Sequence, residues 1–388
     1  MDQDIRIGFV SVADATDINQ WSGTTAHILA ALQKLGVHIE LYSPLSQNTK
    51  YLLAPIKLLS KLRKTNISLE HYPVMFRSYA SQISRALRGR PVDVVFATSS
   101  IPVAALKCKQ AIIFWTDAVF HGMFNYYDGA FAGMPAAAVE RGKRQEEAAL
   151  NNCNYAVYAS EWAADSARRL TDPNKIKVIP FGASLEITHT RSDVEQWALR
   201  RREERPARCE LLFIGVNWTR KGGAIAVETA KILNESGVPT RLTVVGCEPP
   251  GTMPDFVRSL GFISKASAEG QAQYRKLLRE ADFLIVPTSA EAVGIVFCEA
   301  SAFGLPSLSY ATGGVPEYVR TGINGVCLAP GTPASGFAQA IRELVADPGR
   351  YQRLCMDSFS EYESRLNWDA AVRALVALCR RAAAETRS

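Results

Sequence analysis

The chain predicts an α/β protein built from two doubly wound parallel sheets, and three observations carry that expectation. Short apolar runs recur with helix-length segments between them, the runs are apolar throughout rather than alternating, and a polar, charged stretch divides the series into halves. Strands that do not alternate are covered on both faces, as in a parallel sheet sandwiched by helices. With 388 residues, 47% of them hydrophobic, the chain has material for two ordinary cores.

In the first half, strands are expected at residues 5–10, 39–42, 92–97, 111–115, 155–159 and 177–180, and in the second half at 210–215, 241–246, 283–287, 306–310 and 325–328. Between them Glu186 to Arg208 is rich in charge (EQWALRRREERPAR) and is expected to form a linker with a solvated helix. This gives a first domain over 1–190, a linker over 191–208, a second domain over 209–366, and a last helix, 367–388, returning toward the first domain. Ligands of such sheets sit at the carboxyl ends of the strands, so the expected site is the cleft between the domains.

Composition narrows the classes. The net charge is modest at +6. The eight cysteines (Cys108, Cys153, Cys209, Cys247, Cys298, Cys327, Cys355 and Cys379) never form a C-x-x-C pair, which favours reduced thiols in a cytoplasm over a disulfide frame or zinc site. The opening MDQDIRIGFV is acidic and then directly a strand, so no leader is expected. No run of 18 apolar residues predicts a membrane span.

The densest chemistry lies in PTSAEAVGIVFCEASAFGLPSLSYATGGVPEYV, from Pro287 to Val319. Glu291 closes a loop after the strand at 283–287. Glu299 lies a turn or more inside the helix that follows, and Gly294 stands at that helix's entrance, where unpartnered N–H groups can hold an anion. One carboxylate at the mouth, an amide-lined anion site and a second carboxylate further down can clasp the sugar, diphosphate and ribose of a nucleotide sugar. In LLFIGVNWTRKGG, a strand, tight loop and helix start, Arg220 and Lys221 add two cations beside free amides, the arrangement a diphosphate wants. A lone Arg-Lys pair is ordinarily just solvated. Here the glutamate segment in the same half supports the functional reading.

These segments resemble family 4 of the glycosyltransferases, a retaining group with the GT-B fold of two Rossmann-like domains. FIGVNWTRKGG, ADFLIVPTSAEAVGIVFCEASAFGLPSLS and GGVPEYVRTGINGVCL carry the resemblance in the second half, across nearly all of residues 210–330. The first half resembles the family through the loop Asp17–Thr24 and through VYASEWAADSARRL followed by VIPFGA. The resemblance implies that Arg220 and Lys221 neutralise the donor diphosphate and that Glu291 meets the transferred sugar. It further implies that the amides of Gly294, Ile295 and Val296 contact sugar and phosphate, that Glu299 accepts both ribose hydroxyls, and that Gly23 lets the backbone approach a phosphate. It makes residues 1–190 the acceptor side and 209–366 the donor side. Two departures stand out: Val216-Asn217 follow the strand-ending glycine where many members carry an arginine, and Ser22-Gly23-Thr24 replaces paired glycines. Arg220 would then hold the whole arginine role.

The implied reaction is retaining transfer of a sugar from a UDP- or GDP-linked donor to a carbohydrate or lipid-linked acceptor. It has no cofactor and no metal, because cations and helix-terminal amides stabilise the leaving diphosphate. The one D-x-D, Asp2-Gln3-Asp4, precedes the first strand and reads as a terminus rather than a metal clamp. In AIIFWTDAVFHGMFNYY, the family's acid or histidine near the reacting sugar falls on Asp117, with helix capping as its plainer reading. His121 is a lesser candidate, and Trp115 and Trp218 are expected in the core or cleft wall.

Between Lys50 and Arg90 stand nine basic residues and one acid, Glu70, with Leu52, Leu53, Ile56, Leu58, Leu59 and Leu62 among the first cations. A basic amphipathic helix can lie on an anionic membrane, which would place the enzyme in the cytoplasm at the inner face of the membrane. Alternatively, those leucines pack on the sheet. Nucleic-acid binding is not expected, because the stretch is not interleaved with aromatics. Rival functions on the same fold are a sugar-nucleotide epimerase, which needs no acceptor, and a non-catalytic nucleotide-sugar-binding protein.

Overall fold

The computed structural model describes residues 5–124, 126, 127, 131, 133–203 and 208–387. They form two compact units: residues up to Pro180 together with those from Ala371 onward, and residues Phe181–Ala370.

The first unit holds a six-stranded parallel sheet in the order β2-β1-β3-β4-β5-β6, with β1 Arg6–Val10, β2 His38–Tyr42, β3 Val94–Ala97, β4 Ala111–Thr116, β5 Tyr155–Tyr158 and β6 Ile176–Val178. Helices α1 Thr24–Lys34, α2 Ala54–Leu62, α3 Pro73–Gly89, α4 Phe120–Met123, α5 Ala136–Asn152 and α6 Glu161–Arg168 accompany it. Its central strands β3, β4 and β5 are buried along almost their whole length, as continuous apolar runs require. Phe9 and Phe96 meet edge-to-face at 5.4 Å. Trp115 is fully buried, its indole N–H donating to the carbonyl of Ile179 at 3.1 Å, so its place is the core.

The second unit opens with α7 Arg191–Glu203 and holds β7 Cys209–Ile214, β8 Thr240–Val245, β9 Val257–Ser259, β10 Phe283–Ile285, β11 Ser307–Tyr310 and β12 Gly325–Leu328, in the order β12-β11-β10-β7-β8-β9. Around it lie α8 Gly223–Glu235, α9 Ala268–Glu280, α10 Ile295–Ala302, α11 Val315–Tyr318, α12 Ala334–Ala346 and α13 Pro348–Ser364. The final helix, α14 Trp368–Arg387, begins in this unit and from Ala371 packs in the first one. There Leu375, Cys379 and Ala382 are buried and Tyr155 Oη donates to Glu385 at 2.8 Å. Each of the eleven expected strands has its counterpart. β9 has no counterpart among the expected strands, because three residues at a sheet edge (Val-Arg-Ser), two of them exposed, carry no continuous apolar signal.

One expectation is corrected. Residues 191–203, read as a solvated linker helix, pack inside the second unit. Val194, Ala198 and Arg201, spaced i, i+4, i+7, form a fully buried face. Arg191, Glu195 and Arg200 on the other faces are exposed, and such charges hide that stripe in the sequence. Arg201 is buried because its guanidinium donates to the carbonyls of Leu278 (3.3 Å), Arg279 (3.1 Å), Phe303 (3.3 Å) and Gly304 (3.0 Å). Those carbonyls lie at the C-terminal ends of α9 and α10, where helices leave acceptors without intrahelical donors.

The first unit also buries an acid. Glu146 on α5 accepts from Ser100 Oγ at 3.0 Å and Tyr158 Oη at 3.4 Å, and Gln145 Nε2 donates to the same Ser100 at 3.3 Å. Burial outweighs these donors and raises the Glu146 carboxyl to about 7. The folded state therefore holds a proton that the unfolded chain releases near pH 4.5. Its stabilising effect is complete below that pH and is lost as pH rises toward 7. Relative to Glu146→Gln, wild type should lose about 3 kcal/mol across this window, read as a difference between denaturant midpoints at pH 5 and pH 8. Parallel pH dependence in the two proteins would contradict it.

Candidate functional site

Strand order gives the second unit a candidate site. The sheet reverses direction of build between β7 and β10, and in open α/β sheets ligands bind at the carboxyl ends of the two strands flanking that switch. The loop after β7 carries Arg220 and Lys221, and the loop after β10 carries Glu291.

The two loops are stitched together. Ser289 N donates to the Arg220 carbonyl at 2.8 Å, and Thr288 Oγ1 does so at 3.1 Å. Gly222, left-handed at φ 79°, is packed so tightly that a Cβ would fall 2.1 Å from the Pro287 carbonyl oxygen, so the turn admits only glycine. Trp218 lies over Gly223 and against Phe213 at 5.6 Å, which makes it a packing residue of this turn.

The consequence is a compact charge cluster. Lys221 Nζ donates to Glu291 Oε2, Arg220 Nη1 reaches the same oxygen at 3.3 Å, and Arg220 also donates to the Ala290 carbonyl at 2.6 Å. Lys221 and Glu291 are nearly buried and Arg220 partly so. The cluster carries one net positive charge. The helix starts at Gly222–Gly223 and Gly294–Ile295 add to it, each with roughly half an elementary charge of the same sign. Gly294 is left-handed at φ 77°, and the first amides of α10, those of Ile295 and Val296, have no carbonyl a turn behind them. Arg220, Lys221, Glu291, Gly294, Ile295 and Val296 thus occupy one end of one sheet, where an anion would be attracted. In the described structure, Glu291 is held by the two cations that were assigned to phosphate.

Glu299, on the second turn of α10, is 1% exposed. Lys265 Nζ donates to its Oε1 at 2.6 Å and Tyr274 Oη to its Oε2 at 2.7 Å. Neither partner was foreseen: Lys265 lies in a loop without a motif, and Tyr274 looks like any inward residue of α9. Burial and the adjacent carboxylate raise the Tyr274 phenol far above its ordinary range, so it serves as a donor. Cys298 is fully buried with its thiol raised by desolvation, and its Sγ donates to the Phe181 carbonyl at 3.4 Å, a packing role. Glu317 pairs with Arg365 at 3.2 Å and Arg320 at 3.5 Å, tying α11 to α13.

Gly23 and Asp117 belong to the first unit. Gly23 caps the start of α1 at φ 76°, preceded by two further left-handed residues, Trp21 (φ 47°) and Ser22 (φ 56°). A left-handed tryptophan is sterically costly and marks a constrained segment. Its indole donates to Asp117 Oδ2 at 3.1 Å, beyond the end of β4. Burial raises the Asp117 carboxyl, and the Trp21 bond partly opposes that. Asp117 does not cap α4, whose N-cap is Val119. His121 is exposed. Asp2 and Asp4 lie outside the described residues, and among the described residues no cluster of three or more His, Cys, Asp or Glu has metal-binding geometry.

Comparison with known proteins agrees with this build. A family model described as "Glycosyl transferases group 1" matches residues 208–347, and one described as "Glycosyltransferase Family 4" matches residues 23–187. A glycogen synthase of Mycobacterium tuberculosis is 30% identical over 207 residues, 50% of this chain and 48% of that protein. A D-inositol 3-phosphate glycosyltransferase of Nocardiopsis dassonvillei is 30% identical over 227 residues, 54% and 52% of the two chains. The matches thus span about half the length of these relatives. Among solved structures, a sucrose-phosphate synthase from Thermosynechococcus elongatus superposes with a TM-score of 0.66 at 18% identity, covering 97% of this chain and 98% of that one. Anabaena HepE in complex with UDP-glucose gives 0.62 at 14% identity, covering 97% and 100%. Two parallel six-stranded sheets in this arrangement are the GT-B fold, and with both halves matched the chain belongs to the family 4 type of glycosyltransferases.

Proposed function

We propose that this protein transfers a sugar, of hexose type, from a nucleoside diphosphate donor to a carbohydrate or lipid-linked acceptor, with retention of configuration and without a metal, in the synthesis of a cell-surface polysaccharide or glycoconjugate. The observation that carries the reading is the positive cluster of Arg220, Lys221 and Glu291 beside two helix N-termini at the switch point of the second sheet. Departure of a nucleoside diphosphate builds negative charge where those groups stand, and preorganised donors lower the barrier most when charge develops in the reaction. Arg220 and Lys221 would hold the diphosphate with the Gly294, Ile295 and Val296 amides, and Glu291, released by them, would meet the transferred sugar. Glu299 would receive the ribose hydroxyls. From the first unit, we assign a phosphate approach to Gly23 and a sugar contact to Asp117. In front-face retention a donor phosphate oxygen takes the acceptor's proton, so no side chain need act as the base.

The test is thermal stabilisation by UDP, GDP, dTDP, ADP and their common sugars. A ligand at 100 times its Kd stabilises by about 2.7 kcal/mol. Stabilisation by one nucleotide family, lost in Glu299→Ala, is expected. A panel without any shift would overturn the reading, and free sugar released without acceptor would point to an epimerase.

A lipid surface is the acceptor context that a specific observation favours. Of the leucines at the start of the basic stretch only Leu53 is buried in the first unit's core: Leu52, Leu58 and Leu62 are 71%, 61% and 74% exposed, and Tyr51, Ile56 and Leu59 are exposed beside them. Residues 50–64 hold five cations and no acid. An exposed apolar face ringed by cations matches an anionic bilayer, each cation contributing about 1 kcal/mol near it. No helix among the described residues is long and apolar enough to cross a membrane. Co-sedimentation with phosphatidylglycerol vesicles is expected at low salt, and Leu58→Glu with Leu62→Glu should abolish it. Equal pelleting of that double variant would remove the idea.

A further inference from the structure

The surroundings of Glu299 hold more than its own assignment uses. Its two oxygens are met by an ammonium and a phenol, Lys265 at 2.6 Å and Tyr274 at 2.7 Å, with Lys265 Nζ also 5.3 Å from the centroid of the Tyr274 ring. Tyr274 and Glu299 are buried, whereas a third of the Lys265 side chain is open to solvent, so the lysine is the outward member of the trio. Its backbone is fixed. Gln271 Nε2 donates to the Lys265 carbonyl at 2.9 Å, Ser267 Oγ receives the Gly270 amide at 3.1 Å, and a Cβ on Gly270 would fall 2.0 Å from the Ser264 carbonyl oxygen. The loop is therefore locked onto the first turn of α9, and the ammonium is placed from the backbone outward.

Counting hydrogen-bond capacity identifies what fits. A carboxylate has about four acceptor positions and an ammonium three donors. One position on each Glu299 oxygen and one Lys265 donor are already engaged. What remains is an acceptor on each oxygen with lysine donors alongside. A hydroxyl donates one hydrogen and accepts on its oxygen, so a vicinal diol can engage both sides at once: its hydrogens go to Glu299 and its oxygens receive from Lys265. A phosphate in the same place would be repelled by the carboxylate.

We propose that Lys265 is a specificity-determining residue of the donor site: it binds the ribose diol that Glu299 receives and makes the second unit select ribonucleoside over 2′-deoxyribonucleoside diphosphates. This inference rests on the nucleotide-sugar reading given above. A site built to bond a hydroxyl rejects the analogue that lacks it, because its own polar groups are then left unpaired. Charge-assisted bonds of this kind are worth about ten- to a hundredfold in affinity.

Calorimetric titration of the full chain with UDP, GDP and ADP, each beside its 2′-deoxy counterpart, tests it. Wild type should prefer the ribonucleotide by about tenfold or more. Lys265→Met should lose most of that preference, with the ribonucleotide weakened and the 2′-deoxy form nearly unchanged, and Lys265→Arg, which keeps its donors, should recover part of it. A thermal melt of each variant checks that the loop still folds. An equal weakening of both nucleotide forms in Lys265→Met would make the lysine a loop tether and overturn the proposal, as would an unchanged preference. Titration with glucose alone separates a pyranose diol from a ribose diol: glucose binding that depends on Lys265 while the nucleotides show no preference overturns the assignment to ribose. If wild type binds no nucleoside diphosphate at all, the donor-site reading itself falls, a result distinct from binding without discrimination.

Discussion

Lys221→Ala should lower kcat/KM by about 10²–10³-fold, the size seen when one preorganised donor is removed from developing negative charge. The structure explains why the loss should be large and why it should divide unevenly between binding and turnover. Lys221 is nearly buried on Glu291, so in the described state the cation is already largely desolvated. Passing from that carboxylate to the leaving diphosphate, its ammonium exchanges one anionic partner for another and sheds little further water. Ground-state donor binding should weaken less, by roughly tenfold, because Arg220 and the α10 amides remain. Glu291→Gln should give the complementary result. It frees both cations, so nucleoside diphosphate alone should bind as well or better, while turnover falls because the sugar loses its carboxylate partner. The measurement is steady-state kinetics beside titration with the nucleoside diphosphate. Equal losses in binding and turnover for Lys221→Ala would show a residue that merely holds the ground state.

The second large effect concerns stability. Arg201→Met should destabilise the second unit by about 3–5 kcal/mol, the range found when one partner of a buried charged network is removed. The five-donor fork of Arg201 holds carbonyls from the ends of α9 and α10 together, and no apolar side chain can replace those bonds. For a unit of this size the loss corresponds to a fall of roughly 10 °C in melting temperature, measurable by calorimetry. Because α9 carries Tyr274 and α10 carries Glu299, nucleotide affinity should fall along with stability. A variant as stable as wild type would mean that water satisfies those carbonyls once the guanidinium is gone.

Arg201 also shows where a single sequence stops being legible. Strands such as Phe283–Ile285 and Val94–Ala97 announce themselves because full burial demands uninterrupted apolar residues. Paired glutamates around a glycine at a helix start were equally readable, since the spacing alone puts them on one loop and one helix. Arg201 could not be read, because a buried cation in a helix where six of its twelve neighbours are charged has the same letters as a solvated one. Only the fold reveals the helix ends it serves. Lys265 was illegible for a related reason: its meaning depends on a loop that Gly270 and Gln271 position in space, not on any spacing along the chain. The leucines of α2 left two readings open, since their pattern suits a core-facing helix as well as a face turned to solvent, and the structure shows the second.

The division of the chain has a consequence for how it comes into being. Residues Phe181–Ala370 form one unbroken unit, whereas the first unit needs the segment after Ala371, whose Val372, Leu375 and Cys379 are buried in it. On a ribosome, domains ordinarily complete themselves in the order of synthesis. Here the order is inverted. The unit begun first must wait, with the seat of α14 bare, until that helix emerges, and the unit begun second can finish before it.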